Sequence, residues 1–175
     1  MTAASTLTSL YLMWFARPKC DRALFRRIGT SKPMRIVEIG LGDGSRGQSA
    51  ILLAQRYTQS PVSYCGIDLF EASPESSPLT LKQAHHKLCR TGAKIRLVPG
   101  DPCSALARTA NFLIGTDLLI VDHTVSAEQL SKAEDFLPRM LHAETVIATY
   151  VTTGGARRIH WKSPTSFSEL GRKAA

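Results

Sequence analysis

Four carboxylates stand where short apolar runs give way to small or polar residues. They are Glu38 in RIVEIGLGDG, Asp68 in YCGIDLF, Asp101 in LVPGDP and Asp122 in LLIVDHT. Behind Glu38 come Gly40, Gly42 and Gly44, then Gly47. Glycine tolerates positive φ and lets the main chain pass close to a ligand. A helix that starts there aims its free N–H groups at the same place. Several nucleotide-binding sites need this combination. Asp68 follows Gly40 by one strand–helix–strand step, and a carboxylate there can accept hydrogen bonds from both hydroxyls of a ribose. Glu71 is an alternative for that task. At Asp122-His123, a carboxylate beside an imidazole could deprotonate a hydroxyl. Asp122 reads equally as a helix cap, and Asp101 as the cap after a Pro-Gly turn.

The elements that must hold these residues alternate along the chain. Helical spacing covers 7–15, 20–28 (with Gly29 as a stop), 47–59, 79–90 (with Pro78 in its first turn), 104–112 and 127–141. Strand-like runs cover 35–39, 62–69, 94–98, 117–121 and 145–151, and 157–162 folds back as a hairpin partner. Lys32-Pro33 is a break, 72–78 a loop and 164–175 a polar tail. Alternation of this kind predicts an α/β fold: a doubly wound, mostly parallel sheet with helices on both faces and an antiparallel edge strand. Ligands of such sheets bind at the carboxyl ends of the strands, where the four acids stand. The domain reading is 1–33 as an N-terminal helical segment, 34–163 as the binding domain and 164–175 as the tail.

Composition sets outer limits. The chain has 175 residues, 43% of them hydrophobic and 21% charged, which suits one globular domain. No apolar run reaches the ~18 residues of a membrane span, and 7–16 lacks the flanks of a signal peptide. Cys20, Cys65, Cys89 and Cys103 form no CxxC pair, so they read as small reduced residues of a cytoplasmic protein. His85 and His86 are adjacent on a helix and share no metal face. The net charge of +8 gathers toward both ends. Arg17, Lys19, Arg22, Arg26, Arg27, Lys32 and Arg35 oppose Asp21 alone. Arg157, Arg158, Lys162, Arg172 and Lys173 oppose Glu169. A basic surface of this kind could face nucleic acid, but the sequence shows no aromatic residues interleaved with the charges, and a solvated face is the simpler reading.

The glycine run separates rival folds. A dinucleotide fingerprint starting at Gly40 needs glycine where Ser45 stands, and no Walker lysine is present. The pattern acid-x-Gly-x-Gly-x-Gly fits without a shift. Here the chain resembles the class I S-adenosylmethionine-dependent methyltransferases over roughly 34–150, and LVPGDP followed by AL resembles their small-molecule O-methyltransferases. The resemblance implies a Rossmann-like fold with S-adenosylmethionine as cofactor and S-adenosylhomocysteine as product. Gly40, Gly42 and Gly44 would line the methionine part, with Glu38 near its amino group. Asp68 would hold the ribose, with Leu69 against the adenine and Phe70 as second candidate, and Asp101 would lie near the adenine amino group. Asp122 and His123 would be the catalytic or substrate-facing pair. No metal is expected, because the run after strand five, Tyr150-Val-Thr-Thr, supplies no acid.

The family's sheet normally has seven strands. Here about 25 residues follow strand five, so the expected sheet is trimmed to five parallel strands and one antiparallel. Cap insertions are missing, which leaves the N-terminal segment with Tyr11, Trp14 and Phe15 as a lid or a homodimer contact. The leading expectation is methyl transfer to a small-molecule hydroxyl, without a membrane partner. The alternatives are an RNA methyltransferase that uses the basic termini, and a non-catalytic cofactor-binding module.

Overall fold

The computed structural model describes residues 5–72 and 79–164. The expected Pro78 turn, most of the 72–78 loop and the tail beyond Pro164 lie outside them. A six-stranded sheet runs in the order β3-β2-β1-β4-β5-β6. Its strands are β1 (Arg35–Ile39), β2 (Ser63–Asp68), β3 (Lys94–Pro99), β4 (Thr116–Val121), β5 (Leu141–Thr153) and β6 (Ala156–Lys162). The first five are mutually parallel, and β6 pairs antiparallel with β5 through the Gly154-Gly155 turn. The chain winds outward from β1 to β3 and then crosses back to β4. The topological switch point therefore falls between β1 and β4.

Two cores sandwich the sheet. One joins Ile36, Tyr64, Leu118, Ala148 and Tyr150 to α1 (Thr6–Phe15), α2 (Asp21–Ser31), α3 (Ser45–Thr58) and α4 (Leu81–Cys89). The other joins Val37, Ile39, Ile67, Leu119 and Ile147 to α5 (Pro102–Thr109), α6 (Ala127–Ala133) and α7 (Leu137–Met140). Alternate residues of β1 to β5 go to opposite cores, as the pleat requires, whereas β6 gives only Ile159 to the first. Helices thus cover both faces, as the periodicity predicts.

Local chemistry explains where the elements stop. Gly29 does not end α2. It lies inside the helix, where a Cβ would meet the Met13 methyl at 3.1 Å and the Tyr57 ring at 3.5 Å. Its absent side chain lets α1 and α3 pack closely. The stop is Lys32, left-handed at φ 48°, whose N–H donates to the Ile28 carbonyl. Capping boxes start α4 (Thr80 with Gln83) and α6 (Ser126 with Gln129). The expected 127–141 helix breaks into α6, a 3₁₀ turn (Glu134–Phe136) and α7, because Pro138 sits in the first turn of α7.

α1 lies against the far end of α3. Arg56 donates to the Thr6 hydroxyl at 2.9 Å, and the Tyr57 hydroxyl is 3.8 Å from the Met13 sulfur. The glycine loop is at the other end of α3, so α1 stands away from that loop. Its outer face leaves Leu7, Leu10, Tyr11, Trp14 and Phe15 exposed. The four cysteines are free, but only Cys65 is buried. Burial pushes its thiol up to about 11.

Candidate functional site

Glu38 is fully buried in the middle of the sheet, between Gly66 of β2 and Ile120 of β4. A carboxylate there needs partners. Arg46, the second residue of α3, supplies one: its Nε donates to Glu38 Oε1 at 2.7 Å. The Tyr64 hydroxyl donates to Oε2 at 2.5 Å. Gly47 makes room for this cluster, since a Cβ there would lie 2.5 Å from the Tyr64 hydroxyl and 2.6 Å from Glu38 Oε2. Burial pushes the Glu38 carboxyl above its ordinary value, while Arg46 and Tyr64 pull it back.

The same guanidinium ties the two strands of the switch point together. A second nitrogen donates to Asp122 Oδ2 at 2.6 Å and a third to the Gly40 carbonyl at 2.9 Å. Its plane lies over the Tyr150 ring, 4.5 Å from the centroid. Tyr150 in turn donates to the buried Asp21 of α2 at 2.7 Å. Burial works against ionisation of Asp122, but the Arg46 charge and the hydrogen bonds from Arg46 and the Thr124 N–H together outweigh it and hold the carboxyl below its usual range. Asp122 Oδ1 also accepts from the Thr124 N–H and hydroxyl, both at 3.0 Å, in the cap-like turn after β4.

The glycine loop is built around this pair. Gly40 has φ +82°, and a Cβ there would lie 2.7 Å from Asp122 Cβ. A glycine is thus what allows β1 and β4 to end side by side. Gly42 differs: φ is +58°, but no atom lies within 4 Å of where its Cβ would be. This is the stretch of loop backbone that a ligand can approach. Gly44 is the left-handed N-cap of α3, which therefore starts at Ser45, two residues before the expected 47. Asp68 holds the loop from the β2 side, with Oδ2 accepting from the Leu41 N–H at 2.6 Å. Among the described residues, its Oδ1 has only a long 3.4 Å contact to the Phe70 N–H.

Other expected positions lie as follows. Leu69 is half-buried beside Asp68. Phe70 is only 1% exposed and part of the core, so this second candidate has no face for an adenine. Glu71 accepts from the Leu81 N–H at 3.0 Å at the start of α4. Asp101 is the N-cap of α5, accepting from the Ser104 N–H at 3.1 Å and its hydroxyl at 2.5 Å. Those bonds hold its carboxyl below the usual value. The strand pairing still brings Asp101 next to the Asp68 end, since the Gly100 N–H donates to the Asp68 carbonyl at 2.9 Å. His123 Nδ1 is 2.7 Å from Asp122 Oδ1. That nitrogen is buried and out of line for a hydrogen bond, so the exposed part of the ring lies elsewhere.

Sequence reasoning missed Arg46, Tyr64 and Tyr150. One signal was available for Arg46: an acid inside an apolar strand demands a counter-charge, and Arg46 is the first cation after Glu38. Tyr64 and Tyr150 read only as strand residues.

No family model matches the sequence, and no curated protein matches it. Solved structures do. Precorrin-6y C5,15-methyltransferase from Geobacter metallireducens superposes with a TM-score of 0.51 at 16% identity, over 90% of this chain and 72% of its own. The methyltransferase domain of a bacterial Hen1 (CtHen1-CN) gives 0.52 at 13%, over 86% and 80%. An S-adenosylhomocysteine-bound methyltransferase of Podospora anserina gives 0.50 at 18%, over 85% of this chain but 53% of its own. The chain therefore spans between about half and four fifths of the structures it matches, and at such identities the likeness is one of fold. Strand order, the glycine loop at the switch point and these superpositions agree that the chain has the fold of the class I S-adenosylmethionine-dependent methyltransferases.

Proposed function

We propose that the protein binds S-adenosylmethionine across the ends of β1, β2 and β4 and directs its methyl group to an acceptor hydroxyl. The observation that supports this most is the open backbone at Gly42, held between Asp68 on one side and the Arg46–Asp122 pair on the other. The structures that share this fold are methyltransferases, one of them with S-adenosylhomocysteine bound. When bound, the cofactor supplies an electrophilic methyl on a sulfonium. The chain's part is binding and orientation. Asp68 Oδ1 is the ribose acceptor, and the loop from Gly40 to Gly44 passes along the methionine part. Glu38 acts indirectly: both its oxygens are taken, so it holds Arg46 and thereby the loop.

The acceptor lies beside His123. Asp122 is already committed to Arg46 and Thr124, so it positions rather than abstracts. With Nδ1 buried against Asp122, Nε2 is the nitrogen left to take the proton of an acceptor hydroxyl. A small-molecule hydroxyl is the first acceptor to try, since the chain carries LVPGDP followed by AL as in small-molecule O-methyltransferases.

The test is thermal unfolding with S-adenosylmethionine, S-adenosylhomocysteine and NAD, each in large excess. Ligand at a hundred times its dissociation constant stabilises by about 2.7 kcal/mol, roughly 5–10 °C for this size. The two adenosyl-sulfur ligands should shift the midpoint and NAD should not. Asp68→Asn should reduce the shift, whereas His123→Ala should keep it and lose only methyl transfer. A shift with NAD alone would overturn the reading.

A further inference from the structure

A groove separates α2 from the edge strand β6, with a volume of about 590 Å³. Its walls bring together the two basic segments that the sequence keeps at opposite ends of the chain. Arg26, Arg27 and Thr30 come from α2, Trp161 and Lys162 from β6, and Glu144 from β5. Among the described residues, Arg26 and Arg27 face a single acid there, Glu144. Ile159 packs on the core beneath α2. The pleat therefore puts Arg157 and Trp161, two residues either side, on the same face of β6. Arg157 is close enough to influence the buried Asp21 at the head of α2. The strand thus presents cation, aliphatic and aromatic side chains in turn over about 13 Å. Trp161 keeps 43% of its surface exposed, so one face of its ring is open to the groove. Arg26 is itself braced over the Trp14 ring at 5.3 Å.

We infer that this groove binds single-stranded nucleic acid, with phosphates on Arg26 and Arg27 and a base stacked on Trp161. Single strands are held by such a pairing: a cationic track for the backbone and an exposed ring for the unpaired base. A duplex would offer the ring no base face. An anionic lipid surface would use the charge, but it would not need Trp161 to stand in a groove. The sequence argued against nucleic acid because no aromatic residue interleaves with the charges. The interleaving exists, but between elements more than a hundred residues apart. The inference does not rest on methyl transfer, because binding is measured without S-adenosylmethionine.

The experiment is fluorescence anisotropy of a fluorescein-labelled oligouridylate of about a dozen nucleotides, titrated with the full chain over a series of KCl concentrations. Wild type should bind with an affinity that falls as salt rises, because phosphate contacts release counterions. The pair Arg26→Ala with Arg27→Ala should weaken binding about tenfold or more and flatten the salt dependence by about one unit of slope per lost contact. Trp161→Ala should weaken it about fivefold or more with the salt slope unchanged, and Trp161→Phe should restore most of the loss. Lys82→Ala with Arg90→Ala, which removes equal charge from exposed positions on and beside α4, should have little effect. All these positions are exposed, so thermal midpoints near wild type will show that the variants fold. The proposal is overturned if the oligonucleotide does not bind or if the two double variants weaken binding equally. It is also overturned if Trp161→Ala binds like wild type, or if phosphatidylserine vesicles bind and the oligonucleotide does not.

Discussion

Arg46 joins more of the site than any other side chain. It neutralises a carboxylate with no access to water, pins the first strand end to the fourth, and lies on Tyr150. Removing one member of a buried ion pair costs about 3–5 kcal/mol, because the other is left charged and unpaired. Arg46→Ala should therefore lower the thermal midpoint by roughly 6–20 °C. Adding Glu38→Gln should recover part of the loss, since the orphaned charge goes with it; a double variant no better than the single would place the cost at Asp122 or Tyr150 instead. Asp21 gives a second prediction at this scale. Burial raises its carboxyl above 3.8, the ordinary value, and the Tyr150 hydrogen bond and the Arg46 charge only partly offset this. A folded-state value above the unfolded one means that stability falls as pH rises between the two and stays level beyond. Asp21→Asn does not titrate. Its melting midpoint relative to wild type should thus climb from about pH 4 upward and then plateau. A difference that moves the other way would mean that the ionised Asp21 is net stabilised by its cationic neighbours.

At the scale of elements, the loop between β1 and α3 holds glycines with different tasks. Gly40 is needed by the protein, because its Cβ would strike Asp122 and its φ is positive. Gly42 is needed only for its φ and for whatever lies over it. Alanine at a left-handed position costs about 1–2 kcal/mol. Gly42→Ala should cost about that, fold normally and lose affinity for S-adenosylhomocysteine. Gly40→Ala should cost more, because β4 must also move. Equal melting midpoints for the two variants would show that Gly40 does not set the spacing of the strands. The sequence read such elements well where the signal was local. The five parallel strands, the hairpin partner at β6 and the break at Lys32-Pro33 were all legible from apolar runs and turn residues. It misread them where a neighbour decided. Gly29 looks like a stop until Met13 and Tyr57 are seen packed against it.

For the whole molecule, what the sequence determined by itself follows from short-range physics. The alternation of strand and helix periods implied a doubly wound sheet. The acid and glycine spacing after β1 named the loop, and Asp68 marked the next strand end one crossover later. These features depend on residues close along the chain, or on the fixed length of a strand–helix–strand step. Tertiary structure decided what depends on partners far apart. It assigned Arg46 between Glu38 and Asp122 and put Phe70 into the core. It also laid the basic segment of α2 beside that of β6, so that two charge clusters at opposite ends of the chain line one groove. Pair energies between such residues depend on distance and burial, and neither quantity is written in the order of the amino acids.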